Sequence, residues 1–391
     1  MIENPAGRAL AVINARIFDG ERFIRGNCVL TTGGRIKAVT LLKHGKKPAG
    51  KTDIINAHGK ILCPGFIDMH THGAAGIYSM DIRTLPDIGK LSRAYTAFGV
   101  TSVLLAVFYT GKEATLEKVL ASCAGKFDGA VVLGTYYEGP FINIKKRGMI
   151  GGRYIKGRPA GALALLKKII DEAPSMKAMT VAPELDTGSL LSRELKSRGI
   201  TAAIGHTDAL YSRCMEAAAA GSRHYTHLFN AMSPMHHREP GPFLAAVDSG
   251  ATAELICDGA HVHPAAVRLA VKAMGAGRLA IITDSTPLLG YKGKSMNFGS
   301  VKISERRGAA YLEDRTLAGS ATPMNKMMKN LLDWGAAPFG DILTMATSTP
   351  ASILGLKDRG RLKKGYMADM AIIGDGFKVY RTINAGKTTF V

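Results

Sequence analysis

Six residues able to grip a divalent cation stand at the ends of separate apolar stretches of this chain. Two of them, His70 and His72, close the segment ILCPGFIDMHTH. Alternation along an extended segment puts both imidazoles on one side, where they can share an ion. A lone HxH pair is a weak motif. The same residue types recur, however: Glu138 ends AVVLGTYYE, His206 ends ITAAIGH, His227 lies in SRHYTHLF and Asp284 in LAIITDS. The set points to a metal centre, where a cation activates water or a carbonyl. Imidazole and carboxylate donors suit Zn2+ or Fe2+ and do not choose between them. His44, His58, His224, His236, His237 and His263 have no such setting, and ordinary hydrogen-bonded imidazoles are expected there.

Bringing these residues together takes elements that begin apart and end on one rim. Between about residues 61 and 357, apolar or β-branched strand candidates alternate with longer amphipathic segments, the pattern of repeated βα units. Eight such strands are read, near ILCPGFIDMH, VTSVLLAVF, AVVLGTYYE, AMTVAPE, ITAAIGH, SRHYTHLF, TAELICDGAH and LAIITDS. Helices are expected over stretches such as PAGALALLKKIIDEA and HPAAVRLAVKAMG. The fold class is therefore α/β, a (β/α)8 TIM barrel, whose active site forms where the βα loops converge at the strand C-termini. Residues 1–60 and 358–391 read instead as short strands with Gly and Asp turns, and are expected to pair into one small β domain.

Bulk composition narrows the function classes. With 46% hydrophobic residues and 45 glycines among 391 residues, the chain can bury a sizeable core and is not disordered. The 51 Lys and Arg against 31 Asp and Glu give a net charge of +20, which favours anionic partners. No dense basic run, zinc-finger spacing or RNP-type pattern turns that charge into nucleic-acid recognition. The five cysteines are scattered and lack a CxxC pair, so neither disulfides nor a thiolate zinc site is expected, and a reducing compartment follows. No signal peptide and no apolar run of membrane-spanning length is read, so no membrane association and a cytoplasmic location are expected.

The blocks PGFIDMHTHG, YEGPFIN, GHTDA, THLFNAM, HREPG, DGAHV, ITDS and LAGS occur in the order and spacing of the N-acetylglucosamine-6-phosphate deacetylase family of the amidohydrolase superfamily, which the chain resembles from about Ile61 to the C-terminal small domain. The resemblance implies that Glu138, His206 and His227 hold one metal ion, that His70 and His72 match members able to hold a second, with Glu138 bridging and Asp284 close by, and that Asp284 is the proton-transfer residue. One or two ions per chain are expected. It further implies that Asn230 and Ala231 address the sugar phosphate, together with Arg238 and His261, and that Leu317, Ala318 and Gly319 form a loop against the substrate. A homodimer whose subunits complete the phosphate site is implied as well.

Two departures stand out. The family pattern HLEGPF reads Tyr136-Tyr137-Glu138 here, and the usual His after the next glycine is replaced in Gly148-Met149-Ile150, which puts Met149 and Ile150 beside the substrate. Loss of one oxyanion donor costs on the order of a hundredfold in rate. A second ion held through His70 and His72 would take over as Lewis acid. The expected reaction is hydrolysis of the acetamide of N-acetylglucosamine-6-phosphate to acetate and the free amino sugar. Deacetylation of the galactosamine epimer, hydrolysis of another amide or cyclic amide, and a catalytically silent sugar-phosphate binder are the alternatives.

Overall fold

The computed structural model describes residues 9–43, 48, 52–123 and 127–391. Its centre is a sheet of eight parallel strands in sequential order: β1 (Phe66–Thr71), β2 (Val100–Val107), β3 (Val131–Glu138), β4 (Met176–Val181), β5 (Thr201–Ile204), β6 (His224–Tyr225), β7 (Thr252–Ile256) and β8 (Leu279–Ile282). All eight coincide with the stretches read as strands. The sheet closes on itself just past its last strand, where Asp284 N donates to His70 O at 3.0 Å and His72 N to Ser285 O at 2.8 Å. Every residue of β2 is buried, as a parallel strand covered on both faces requires.

Helices follow the strands and bury one face on the barrel. The two stretches singled out as helical form Ala162–Glu172 and Pro264–Met274. The latter begins with Pro at its first position, and the His263 side chain accepts from Ala265 N at 3.2 Å. His263 is thus a cap, not a ligand.

Two departures from the sequence reading concern strands. The segment read as a single strand up to His70 is two: Ile61–Pro64 pairs with Met370–Ile373, and β1 starts only at Phe66. Gly65 marks the junction, because a Cβ there would lie 2.1 Å from Thr101 Cγ2. Ile61–Pro64, Met370–Ile373, Val379–Asn384 and Lys387–Phe390 belong to one five-stranded sheet, and Ala9–Ile13 with three further N-terminal strands form a second. The two share a core of Leu10, Val12, Val29, Leu62, Met370 and Ile383.

The second departure is an antiparallel sheet inserted after β8: β9 (Ser295–Phe298), β10 (Val301–Arg306), β11 (Ala309–Tyr311) and β12 (Leu317–Ser320). The LAGS block, expected as a loop, is therefore a strand. It is bonded back to the barrel mouth through Ser320 N, which donates to Asp284 O at 2.9 Å. A Cβ on Gly319 would come within 2.8 Å of that same oxygen, so only glycine permits the approach.

Candidate metal centre

Each candidate ligand ends a strand, and three of them sit where the backbone leaves it. His206, His227 and Asp284 have φ of 46°, 25° and 46°, a left-handed conformation that non-glycine residues adopt at a cost and that clusters at functional sites. These bends turn the side chains over the barrel mouth. His70 and Glu138 point into the same space from strands that are still extended.

Glu138 is the hub. Its Oε1 lies 3.1 Å from His206 Nε2 and 3.2 Å from His227 Nε2, and 3.5 Å from His70 Nε2; its Oε2 lies 3.1 Å from His72 Nε2. Asp284 Oδ1 is 3.3 Å from His72 Nε2 and 3.8 Å from His70 Nε2. Two ligand groups result, His70 with His72 and Asp284, and Glu138 with His206 and His227, each with its donor atoms within 4.8 Å of one another.

The donor set fits a cation. His206 Nδ1 donates to Lys146 O at 2.8 Å and His70 Nδ1 to Glu254 Oε2 at 2.9 Å, which leaves the Nε2 lone pair of each ring facing the centre. The Nε2 atoms of His206 and His227 stand 3.1 Å apart and both face Glu138 Oε1, a spacing that suits a shared cation. His70 Nε2 is buried without a hydrogen-bond partner, an arrangement that costs about 1–3 kcal/mol unless something binds there.

Electrostatics agree. Burial favours the neutral Glu138 carboxyl, but His70 and the surrounding imidazoles outweigh it and hold the group well below the ordinary carboxylate range. Burial pulls the His72 imidazole down, yet Asp284 and Glu138 push it up to about 9. The carboxylates thus demand positive charge, which protons on the rings or a divalent ion can supply.

Two buried acids that the sequence reading missed hold the ligands in place. Glu254 on β7 takes His70 Nδ1, His227 N at 2.9 Å and His224 Nε2 at 3.2 Å, so His224 is a bonded core imidazole as expected. Asp68 accepts from Thr283 N at 3.1 Å and from the Thr283 hydroxyl, which ties β1 to the end of β8. Partners of this kind fix the tautomer and orientation of a ligating imidazole. Because His70 and His72 make up most of one ligand group, changing both to Ala should lower metal stoichiometry by about one ion per chain. Elemental analysis after reconstitution reads this directly, and an unchanged count would make the pair structural.

The remaining candidates divide. His261 is at the centre's edge: its Nδ1 is 2.6 Å from Asp258 Oδ2 and its Nε2 3.9 Å from Asp284 Oδ2. Gly319 lies against Asp284, and Ala318 and Met149 pack into the neighbouring cluster of Tyr78, Leu288 and Phe298. Leu317 begins the same strand. Asn230 and Ala231 follow His227, with the Asn230 side chain donating to Leu228 O at 3.2 Å. Arg238 is not brought in. It is exposed, with Nη1 2.8 Å from His237 Nε2, while His236 Nδ1 accepts from Arg238 N at 3.3 Å. His58 is also exposed, and His44 lies outside the described residues.

Both departures from the family pattern are resolved in space. Tyr136 points into the barrel, its ring 4.7 Å from that of His70 and its hydroxyl 2.8 Å from Thr226 Oγ1. Ile150 is buried with Phe108 and Ile142, so an apolar contact stands where a donor was expected.

Barrel and ligand set together define a metal-dependent hydrolase of the amidohydrolase type, and residues 61–389 match the model of the Amidohydrolase family. The chain is 35% identical to the N-acetylglucosamine-6-phosphate deacetylase of Bacillus subtilis (strain 168), over 98% of each chain. It is 30% identical to that of Homo sapiens, over 97% of this chain and 95% of the other. The crystal structure of N-acetylglucosamine-6-phosphate deacetylase from Pasteurella multocida matches with a TM-score of 0.89 at 26% identity, over 97% of this chain and 99% of that one. A mutant of the Mycobacterium smegmatis enzyme, solved in complex with N-acetyl-D-glucosamine-6-phosphate, matches with a TM-score of 0.86 at 26% identity, over 99% of this chain and all of the other. The chain thus belongs to the amidohydrolase family and, within it, to the N-acetylglucosamine-6-phosphate deacetylase family.

Proposed function

We propose that this protein hydrolyses the acetamide of N-acetylglucosamine-6-phosphate to glucosamine-6-phosphate and acetate. The observation that carries the reading is the pair of ligand groups joined through Glu138 at the barrel mouth, in a chain of near full-length likeness to enzymes of that name. A divalent ion held there, Zn2+ or Fe2+, supplies acidified water and a Lewis acid for the carbonyl.

The rest falls to the chain. Asp284 is held below the ordinary carboxylate range, burial being outweighed by its bond to His72 and the charge of His70, so it is ionised and able to take a proton. Its Oδ1 faces the metal-ligating imidazoles and its Oδ2 faces His261. It accepts the proton of the attacking water and returns it to the departing amine nitrogen. His261, oriented through Asp258, and the segment around Asn230 and Ala231 bind the sugar phosphate. Leu317, Ala318 and Gly319 border the substrate side of the centre, Gly319 lying against Asp284. Since Ile150 brings no donor, polarisation of the carbonyl rests on the His70 and His72 side of the centre.

Arg238 is assigned to the phosphate across a homodimer, a role supported by its exposure in the single chain. Arg238→Ala should then raise KM for the phosphorylated substrate by about tenfold or more and leave the unphosphorylated sugar nearly unaffected, because only the former loses a charge-assisted pair. Equal effects on both would remove Arg238 from that role. Cys28, Cys63, Cys214 and Cys257 are free thiols and support a cytoplasmic setting; among the described residues no helix is long and apolar enough to cross a membrane. The deciding experiment is acetate release from N-acetylglucosamine-6-phosphate by metal-loaded protein. No release with full metal occupancy would overturn the assignment.

A further inference from the structure

Beside the metal centre, the inserted sheet carries basic groups that neither the metal nor the proposed reaction uses. Arg306 and Arg307 at the β10–β11 turn and Arg315 before β12 line one cavity of about 580 Å3. Asp258, Gly259, Ala260 and Tyr311 also line it, and Asp258 is the carboxylate bonded to His261. The cavity therefore opens next to the residue whose Nε2 is 3.9 Å from Asp284.

Among the described residues, no hydrogen bond or ion pair engages any of the three guanidiniums. Of the acids around them, three are turned to other work, while Glu313 is exposed two residues before Arg315. Glu305 Oε1 accepts from Gly308 N at 2.7 Å, Asp314 Oδ1 accepts from Thr316 N at 2.9 Å, and Asp258 is held by His261 and by Ala260 N. Three guanidiniums without an ion-pair partner thus outnumber the one carboxylate that lines the cavity with them, Asp258, which is bonded to His261.

The backbone supplies an independent observation. Arg307 and Arg315 have φ of 52° and 70°, in the left-handed region. Arg307 and Gly308 are the two residues of a tight hairpin turn, where φ is positive at both positions and Asn-Gly or Asp-Gly is the favoured pair. Asn or Gly would hold either position with less strain than arginine does.

We infer that this cavity is an anion site for a phosphate-class ligand. Planar guanidinium forks suit tetrahedral oxyanions, and the volume suits a small molecule. The phosphate can come from the substrate itself or from a separate free anion. Only the first source rests on the amino-sugar phosphate reading above.

The test uses Arg307→Asn with Arg315→Gly, replacements that suit the same backbone. Inorganic phosphate is titrated into metal-loaded protein at ionic strength matched with chloride, and thermal melting is followed. The double variant should start at a higher Tm than the parent yet need at least about tenfold more phosphate for the same stabilisation. If the substrate is the source, its KM rises by a similar factor while that of the unphosphorylated sugar does not; if a free anion is the source, both KM values stay and the phosphate response is still lost. A higher Tm with an unchanged phosphate response and unchanged KM would overturn the site and make these solvated turn arginines. Should the double variant melt early, Arg306→Gln, at a strand end with ordinary backbone, decides by the same readout. The melting arm needs no turnover, so it stands even if the proposed substrate is not hydrolysed.

Discussion

Asp284→Asn is expected to lower kcat by roughly two to four powers of ten, the scale of a positioned acid or base, while substrate binding and the Glu138, His206 and His227 ligand group survive. Asn keeps the size of the side chain and tolerates φ of 46° as Asp does. The backbone bonds of this residue, to His70 O and from Ser320 N, do not depend on the carboxylate. The rival reading is a turn-capping aspartate, for which Asn would be a mild change. Among the described residues no backbone N–H donates to the Asp284 carboxylate, whereas three imidazoles lie within 3.9 Å of it. Measuring kcat, metal content and substrate affinity on one preparation separates the cases. Near-normal turnover at full occupancy would end the proton-transfer role, and loss of metal would make Asp284 chiefly a ligand.

A loss of similar size, joined by loss of metal, is expected from Glu138→Gln. This carboxylate touches all four ligand imidazoles, so neutralising it removes the shared counter-charge of both ligand groups at once. Metal content should fall sharply, and turnover by about three powers of ten or more, which corresponds to ~4 kcal/mol of barrier. Excess metal in the assay distinguishes weakened affinity from lost geometry. Two ions retained with normal turnover would show that Glu138 is not the joint of the site.

The barrel was legible because each strand is an apolar run with a polar residue at its C-terminal end. The helices were legible from their amphipathic period and flanking Gly or Pro. Convergence of His70, His72, Glu138, His206, His227 and Asp284 followed from the fold class alone, since βα loops meet at one rim. Glu254 escaped notice because TAELICDG reads as one core strand, and a lone acid within it acquires meaning only when His70, His224 and His227 are known to surround it. The sheet of β9 to β12 escaped as well, its first two strands being half-exposed and without clean alternation. Arg238 was placed by motif, and spatial proximity to the centre within one chain is not what a motif encodes. The split of ILCPGFIDMH at Gly65 was invisible because both halves are apolar; what separates them is the partner each one finds.

That split imposes an order of assembly. Cys63 and Ala371 are neighbours in one sheet although 308 positions separate them in the chain. Three residues past Cys63, β1 begins, and β1 carries His70. During synthesis the strand that anchors the first ligand pair therefore emerges early and waits, its neighbouring edge unpaired, until nearly the whole chain has left the ribosome. Contacts so distant in sequence form slowly, because a long loop must close before they contribute. The metal centre draws its donors from residues 70 to 284, so it too awaits most of the barrel, while the strand that leads into it finds its last partner later still.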